Sequence, residues 1–119
     1  MRKPRIYVAG PMKGRFEFNY AYFNDAADLL RANGWHVENP AAIGARYGTP
    51  EMINEHPTLL AAVMAADIHA LETCDAIYLL EGWQNSVGAK KELAVALSLN
   101  MNIYLAPEIC APTVERGRT

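Results

Sequence analysis

Short apolar runs alternate along the chain with longer stretches in which apolar residues recur every three or four positions. The run 5–10 is rich in strand-forming residues and closes on a glycine-proline pair, which predicts a buried strand followed by a forced turn. Runs at 75–80 and 102–106 have the same character, and 36–39 predicts a weaker strand. The pattern therefore predicts four strands.

The stretches between these strands predict three helices. Residues 19–33 carry an apolar stripe, with Asn19 expected as the N-cap and Gly34 as the stop signal. Residues 58–73 and 86–100 repeat apolar positions at the same spacing. Strands and helices thus alternate from the first strand to the last.

This alternation predicts an α/β fold: a three-layer, flavodoxin/Rossmann-like parallel sheet of four to five strands with helices on both faces. Ligands of such folds bind at the carboxyl ends of the strands. Residues 41–56 contain two glycines and a proline and are expected to form an irregular connection, long enough to suspect function. Residues 1–119 are expected to form a single domain, with 107–119 as a mobile tail.

Composition and charge limit the classes of protein to which this chain could belong. A chain of 119 residues that is 51% hydrophobic can bury one core unaided. The formal net charge of −2 and sequence pI near 5.9 argue against a polymeric nucleic-acid or anionic membrane partner. The two cysteines, Cys74 and Cys110, have neither metal-ligand nor redox spacing, and the N-terminus lacks a long apolar stretch. A cytoplasmic protein without a metal or cofactor is expected.

If the first and third strands are neighbours, the turns that follow them, 10–17 and 81–86, share one crevice. Neither turn has a dinucleotide-binding or P-loop glycine pattern. Lys13-Gly14-Arg15 places two cations around a flexible glycine, which is typical either of a phosphate site or of a solvated basic loop.

Glu92 is the acidic residue whose position in the third helix is most informative. On a helical wheel it lies opposite Lys90 and Lys91, on the face that holds Gly88 and Ala96. A carboxylate on an apolar face costs free energy unless it is paired or functional. We therefore expect either a pocket with Glu92 on its wall or an ion pair at a subunit interface.

Asp67 and Tyr7 are two further polar side chains in apolar surroundings. Asp67 falls between Val63 and Leu71 in the apolar stripe of the second helix, which indicates either a functional acid or one that pairs with a buried polar group such as a histidine. Tyr7 lies in the central strand, where its hydroxyl needs a partner or the ring simply fills the core.

Three segments together carry a resemblance to a known family. They are Ile6-Tyr-Val-Ala-Gly-Pro-Met-Lys-Gly14, Asp67 before the run 74–80, and Ser86-x-Gly-x-x-x-Glu92-Leu-x-x-Ala96. Their order and spacing resemble the nucleoside 2-deoxyribosyltransferase superfamily over roughly residues 5–106. The chain also looks like a short, often phage-associated branch of it and is similar to its 2′-deoxynucleoside 5′-monophosphate N-glycosidases.

The resemblance implies a function for the three suspect residues. Glu92 would attack the anomeric carbon and form a glycosyl ester, Tyr7 would orient that carboxylate, and Asp67 would exchange a proton with the base. It further implies a homodimer whose neighbours complete each pocket. Substrate contacts are expected from both turns and the start of the third helix: Gly10, Met12, Lys13, Gly14, Arg15, Ser86 and Gly88.

Ser86 separates two branches of the superfamily. Members acting on free nucleosides tend to carry an acid six positions before the nucleophile, whereas the nucleotide-hydrolysing branch tends to carry serine. A hydroxyl beside the free N–H groups of a helix N-terminus accepts a phosphate that a carboxylate would repel, although serine is also a common plain N-cap. A nucleoside 5′-monophosphate is the expected substrate.

Other functions stay open at this stage. A nucleotide-binding or sensing module would keep the pocket without turnover, and a related glycohydrolase would act on ribonucleotides or nicotinamide dinucleotides. The base, the sugar (ribose or deoxyribose), and the choice between hydrolysis and base transfer are open as well.

Overall fold

The computed structural model describes residues 3–109 and 111–112 and contains a four-stranded parallel sheet. Its strand order is β2-β1-β3-β4, so β1 and β3 are central neighbours, as the shared-crevice prediction requires. In register, Tyr7 lies beside Glu38 of β2 and Ile77 of β3. The strands are β1 (Arg5–Ala9), β2 (His36–Glu38), β3 (Ala76–Leu79) and β4 (Asn102–Leu105).

Five α-helices connect and cover these strands: α1 (Tyr20–Ala32), α2 (Pro40–Ala45), α3 (Pro50–Glu55), α4 (Pro57–Glu72) and α5 (Val87–Ser98). The three predicted helices are confirmed as α1, α4 and α5, each with bounds within two residues of those expected. In the described part of the chain, no helix is long and apolar enough to cross a membrane.

The prediction of an irregular connection at 41–56 is wrong, because α2 and α3 occupy most of it. Each begins with a proline directly after a capping side chain. The Asn39 side chain accepts a hydrogen bond from the Ala41 N–H at 3.0 Å, and the Thr49 hydroxyl oxygen accepts one from the Met52 N–H at 3.2 Å. A capping residue followed by proline is a helix-start signal that outweighed the glycines.

The central strands β1 and β3 are buried on both faces, which gives the three layers of the predicted α/β fold, whereas Ile103 and Leu105 of the edge strand β4 are exposed. Side chains alternate along β1, so Ile6 and Val8 face α1, whereas Tyr7 and Ala9 face α4 and α5. The first core cluster consists of Ile6, Val8, Phe23, Ala26, Ala27, Leu30, Trp35, Val37, Ala41, Ala76, Tyr78 and Leu80. The second consists of Tyr7, Ala9, Leu71, Cys74, Ile77, Leu79, Ala89, Ala96 and Met101.

The residues predicted to begin and to end α1 both lie at its ends, but they act in different ways. Gly34 follows the last turn with φ of +104°, the left-handed conformation that glycine favours, so the stop signal is confirmed. Asn19 occupies the N-cap position of α1 as expected, but its side chain caps no helix N–H and instead donates to the Pro11 carbonyl at 3.0 Å. Glu17, Phe18 and Asn19 all have positive φ, so a left-handed turn leads into the helix.

The end of the chain is only partly described. Cys110 and residues 113–119 lie outside the described residues, so the mobile tail stays a prediction. Ile109 packs against the first core cluster, beyond the last strand.

Candidate active site

Tyr7 is the residue around which the candidate site is built. It lies in the middle of a central strand, is fully buried, and faces the layer of α4 and α5. Its hydroxyl donates a hydrogen bond of 2.6 Å to Glu92 Oε2. Burial and the negative charges of Glu92 and Asp67 raise the pKa of Tyr7 well above its usual value, so the phenol keeps its proton and acts as a donor.

Glu92 is placed by α5, which begins at Val87 and runs back along the sheet. Lys90 and Lys91 are exposed while Glu92 is only partly accessible, as the helical wheel predicted. Burial raises the pKa of Glu92 to about 7, and the Tyr7 hydrogen bond acts in the opposite direction by lowering it. No Lys or Arg of the described residues lies within ion-pair distance of this carboxylate.

Asp67 comes from the middle of α4 and is 8% exposed, between the buried Val63 and Leu71. Its Oδ1 is buried without a hydrogen-bond partner among the described residues. Burial, followed by the nearby charge of Glu92, raises the pKa of Asp67 to about 8. A buried, unsatisfied carboxyl oxygen is costly in a folded protein, so Asp67 is a candidate functional residue.

Histidine pairing does not explain Asp67. His36 and His69 are both exposed, and His36 contacts Glu38 instead, at 3.3 Å. The fold thus brings together Tyr7, Asp67 and Glu92, which come from three separate elements, and each acts electrostatically on another. A protonated acid beside a second carboxyl that ionises more readily is an arrangement suited to acid–base and nucleophilic chemistry.

The loop after β1 has two parts with different roles. Gly10 is buried, and a Cβ there would lie 2.7 Å from the Leu80 Cβ, so close packing of β1 on the end of β3 explains this glycine. Met12 is partly buried against the first core cluster. Lys13 and Gly14 are exposed.

Arg15 links this loop to the one after β3. A Cβ on Gly82 would lie 3.0 Å from Arg15 Nη2, so the guanidinium rests against the Gly82 backbone. The two turns therefore meet, and a basic side chain lies where they do. Gly14 has φ of +80° and open space around its Cβ position, which leaves its backbone accessible.

Ser86 and Gly88 form the start of α5. The Ser86 hydroxyl oxygen accepts a hydrogen bond from the Ala89 N–H at 3.1 Å, so the N-cap interpretation is confirmed. This bond leaves the hydroxyl proton of Ser86 available to a ligand. A Cβ on Gly88 would meet nothing within 4 Å, and the residue is exposed.

Tyr20 is a residue of this region that sequence reasoning missed. The helical pattern counted it only as one more apolar position of the first helix. In the fold its ring packs partly against the first core cluster, while its hydroxyl lies over Gly44 of α2. The sequence feature related to this position of Tyr20 is the glycine at position 44, because a Cβ there would clash with the Tyr20 hydroxyl oxygen.

A surface depression of about 280 Å³ lies on another flank of α4, and none of the three site residues borders it. It is lined by Arg5, Glu38, Ile43, Arg46, Tyr47, Ala66, His69, Ala70 and Thr73. Arg5 pairs there with Glu38 and donates to the Thr73 hydroxyl at 3.0 Å, which ties β1, β2 and α4 together. Nowhere in the described residues do three or more His, Cys, Asp or Glu side chains group as a metal site.

The match of this sequence to a known protein family has the same extent as the sheet. No curated protein matches this sequence. One family does match, over residues 4–105, from just before β1 to the end of β4. This span contains Tyr7, Asp67 and Glu92, and the chain belongs to that family, described as a domain of unknown function (DUF4406).

Proposed function

We propose that this chain is a nucleoside 2-deoxyribosyltransferase-like enzyme that cleaves the N-glycosidic bond of a deoxynucleoside 5′-monophosphate through a covalent glycosyl–Glu92 intermediate. The observation that carries the proposal is the Tyr7–Glu92 hydrogen bond beside the unpartnered Asp67 carboxyl. It is supported by the three sequence segments that resemble the superfamily.

The first step of the proposed reaction uses Glu92 and Asp67 in opposite protonation states. The Tyr7 hydrogen bond lowers the pKa of Glu92, whereas the charge of Glu92 adds to burial in raising the pKa of Asp67, so Glu92 ionises before Asp67 as the pH rises. The Glu92 carboxylate attacks C1′ of the sugar, and the C1′–N bond breaks with its electron pair going to the base. Asp67 gives its proton to the departing base, which leaves as a neutral molecule.

The second step resolves the ester and restores both carboxyl groups. Water, or the nitrogen of another base, attacks C1′ and displaces the Glu92 carboxylate, while Asp67 takes up the proton that the nucleophile loses. Tyr7 donates to Glu92 throughout and holds the oxygen lone pairs toward the sugar. Hydrolysis and base transfer differ only in which nucleophile reaches this ester.

The 5′-phosphate is proposed to bind at the start of α5. Ser86 offers its hydroxyl proton, and the unoccupied N–H groups of the first turn and the helix dipole favour an anion. Lys13 and Arg15 on the facing loop supply positive charge. The open space beside Gly88 leaves room for the ligand.

A homodimer is part of the proposal. The outward side of α4 is apolar for most of its length and exposes Leu60 and Met64, at 37% and 44%. Exposed apolar residues on one helix favour burial against another protein surface. Sedimentation of the wild type should give twice the monomer mass, and Met64→Lys should shift it toward the monomer; a monomeric wild type would contradict the dimer.

A substrate panel tests the enzymatic proposal. The protein is incubated with the deoxynucleoside 5′-monophosphates, the matching nucleosides and the ribonucleotides, and free base is measured by chromatography. Base release from deoxynucleotides is expected. Glu92→Ala should lower the rate by several orders of magnitude, whereas Glu72→Ala, which removes an exposed glutamate at the end of α4, should not.

The site of covalent chemistry is tested separately. A 2-fluoro-2-deoxy substrate slows formation and breakdown of the ester, so an adduct should accumulate and be located on Glu92 by mass spectrometry. An adduct on another residue, or rapid turnover by folded Glu92→Ala, contradicts the mechanism. Tight nucleotide binding without any release of base would favour a sensing module instead.

A further inference from the structure

Tyr20 stands at the start of α1, directly after the left-handed turn that ends the loop following β1. Its ring is held by the first core cluster and by an edge-on contact with Phe18, with ring centres 6.0 Å apart. Its hydroxyl points to α2, where the glycine at position 44 leaves space for it. The ring is thus held by its neighbours, and its hydroxyl lies between the start of α1 and α2.

The hydroxyl of Tyr20 has no hydrogen-bond partner among the described residues. This distinguishes it from Tyr7, which donates to Glu92, and from Tyr22, which donates to Glu81 at 3.2 Å. A phenol that is partly buried and lacks a protein partner is free to hydrogen-bond a ligand.

The charge that acts on Tyr20 and the packing of its hydroxyl relate this residue to Asp67. Burial, and then the charge of Asp67, raise the pKa of Tyr20. The charge of Asp67 thus acts on Tyr20, and α2, against which the Tyr20 hydroxyl lies, packs on α4, the helix that carries Asp67.

In the proposed reaction Glu92 faces the sugar and Asp67 faces the base. We infer that Tyr20 is a specificity-determining residue whose hydroxyl hydrogen-bonds the base of the bound nucleotide, next to Asp67. This inference rests on the proposed function for the identity of the ligand. A phenol can donate to a ring nitrogen or an exocyclic oxygen of the base and can accept from an exocyclic amine.

Binding measurements test the inference without requiring turnover. Calorimetric titration in a Glu92→Gln background compares each deoxynucleoside 5′-monophosphate with 1,2-dideoxyribose 5-phosphate, which has no base. Tyr20→Phe should weaken the preferred nucleotide by about tenfold, the value of one neutral hydrogen bond, and should leave the base-free ligand within about twofold. Tyr104→Phe, on the edge strand β4, is the matched control and should change neither.

Gly44 provides a second and independent variant. In Gly44→Ala the new Cβ clashes with the Tyr20 hydroxyl oxygen, so nucleotide binding should fall as it does in Tyr20→Phe. Combining Gly44→Ala with Tyr20→Phe removes the clash, because the new Cβ then meets Cζ of the ring at 3.5 Å, an ordinary contact distance. It should fold like Tyr20→Phe and bind nucleotide no more weakly than that variant does.

The outcomes separate this inference from the proposed enzymatic function. A base-dependent loss in Tyr20→Phe supports the inference even if the wild type releases no base, a result that would refute the enzyme alone. Equal loss for both ligands, unchanged nucleotide binding, or a wild type that binds no base-bearing ligand would each overturn it.

Discussion

The Tyr7 hydroxyl donates to Glu92 Oε2 at 2.6 Å, although the two residues are 85 positions apart in the chain. The bond joins the central strand to the third of the long helices across the second core cluster. It also counteracts burial, because it favours the charged form of a carboxyl whose pKa burial raises to about 7.

Removing this bond should shift the pH dependence of catalysis. Tyr7→Phe takes away the interaction that lowers the pKa of Glu92, so that pKa should rise and less nucleophile should be ionised at neutral pH. The ascending limb of the kcat/KM–pH profile is expected to move to higher pH, with a loss of roughly tenfold at about pH 7. Tyr104→Phe is the control, and an unchanged profile in Tyr7→Phe would contradict the role of the bond.

Asp67→Asn should discriminate between leaving groups. An amide cannot give a proton to the base, so the rate with a natural base should fall by roughly 10²–10⁴. A nitrophenyl deoxyriboside 5-phosphate needs no protonation to leave and should lose far less. Steady-state kinetics on both substrates provide the measurement; equal losses in a folded variant would make Asp67 a structural residue.

The same substitution should change how stability depends on pH. The pKa of Asp67 is about 8 in the folded chain against an ordinary 3.8, so the folded state binds more protons than the unfolded state between these values. The contribution of Asp67 to the free energy of unfolding is then fully present below about pH 4 and is lost as the pH rises through about 8. Glu92, raised from 4.5 to about 7, acts in the same direction.

Thermal unfolding at about pH 5 and about pH 9 measures this effect. The melting temperature of the wild type should fall by several degrees, since about 1 kcal/mol corresponds to roughly 4–8 °C in a small domain. Asp67→Asn should reduce the fall, whereas Asp28→Asn should leave it intact, because the Asp28 side chain is 77% exposed. If the melting temperature of Asp67→Asn fell between these two pH values by as much as that of the wild type, the raised pKa of Asp67 would be contradicted.

Ser86→Asp should weaken nucleotides more than nucleosides. Aspartate also caps helices well, so α5 should remain intact, but its charge would repel the 5′-phosphate at short range. We expect a loss of about tenfold or more in kcat/KM for the monophosphate and little change for the nucleoside. Ser86→Asn keeps a neutral cap and serves as the control; equal losses for the two substrates would remove the phosphate assignment.

The local elements of this protein could be predicted from its sequence because their signals are local. Apolar runs and helical spacing located the four strands and the three long helices, and the place of Asp67 between Val63 and Leu71 marked it as a buried acid. The sequence pattern misses the two short helices because the glycines at 44 and 48 indicate a loop, although a cap-and-proline pair begins each helix.

By itself the sequence determined which side of its own element each site residue occupies, because periods of two and 3.6 are properties of a strand and a helix alone. Only the tertiary structure decided that these sides face one another. The Tyr7–Glu92 bond, the unsatisfied Asp67 oxygen and the Tyr20 hydroxyl over Gly44 all depend on strand order and on how α2, α4 and α5 pack. Such contacts join residues far apart in the chain, and no local pattern encodes the distance between them.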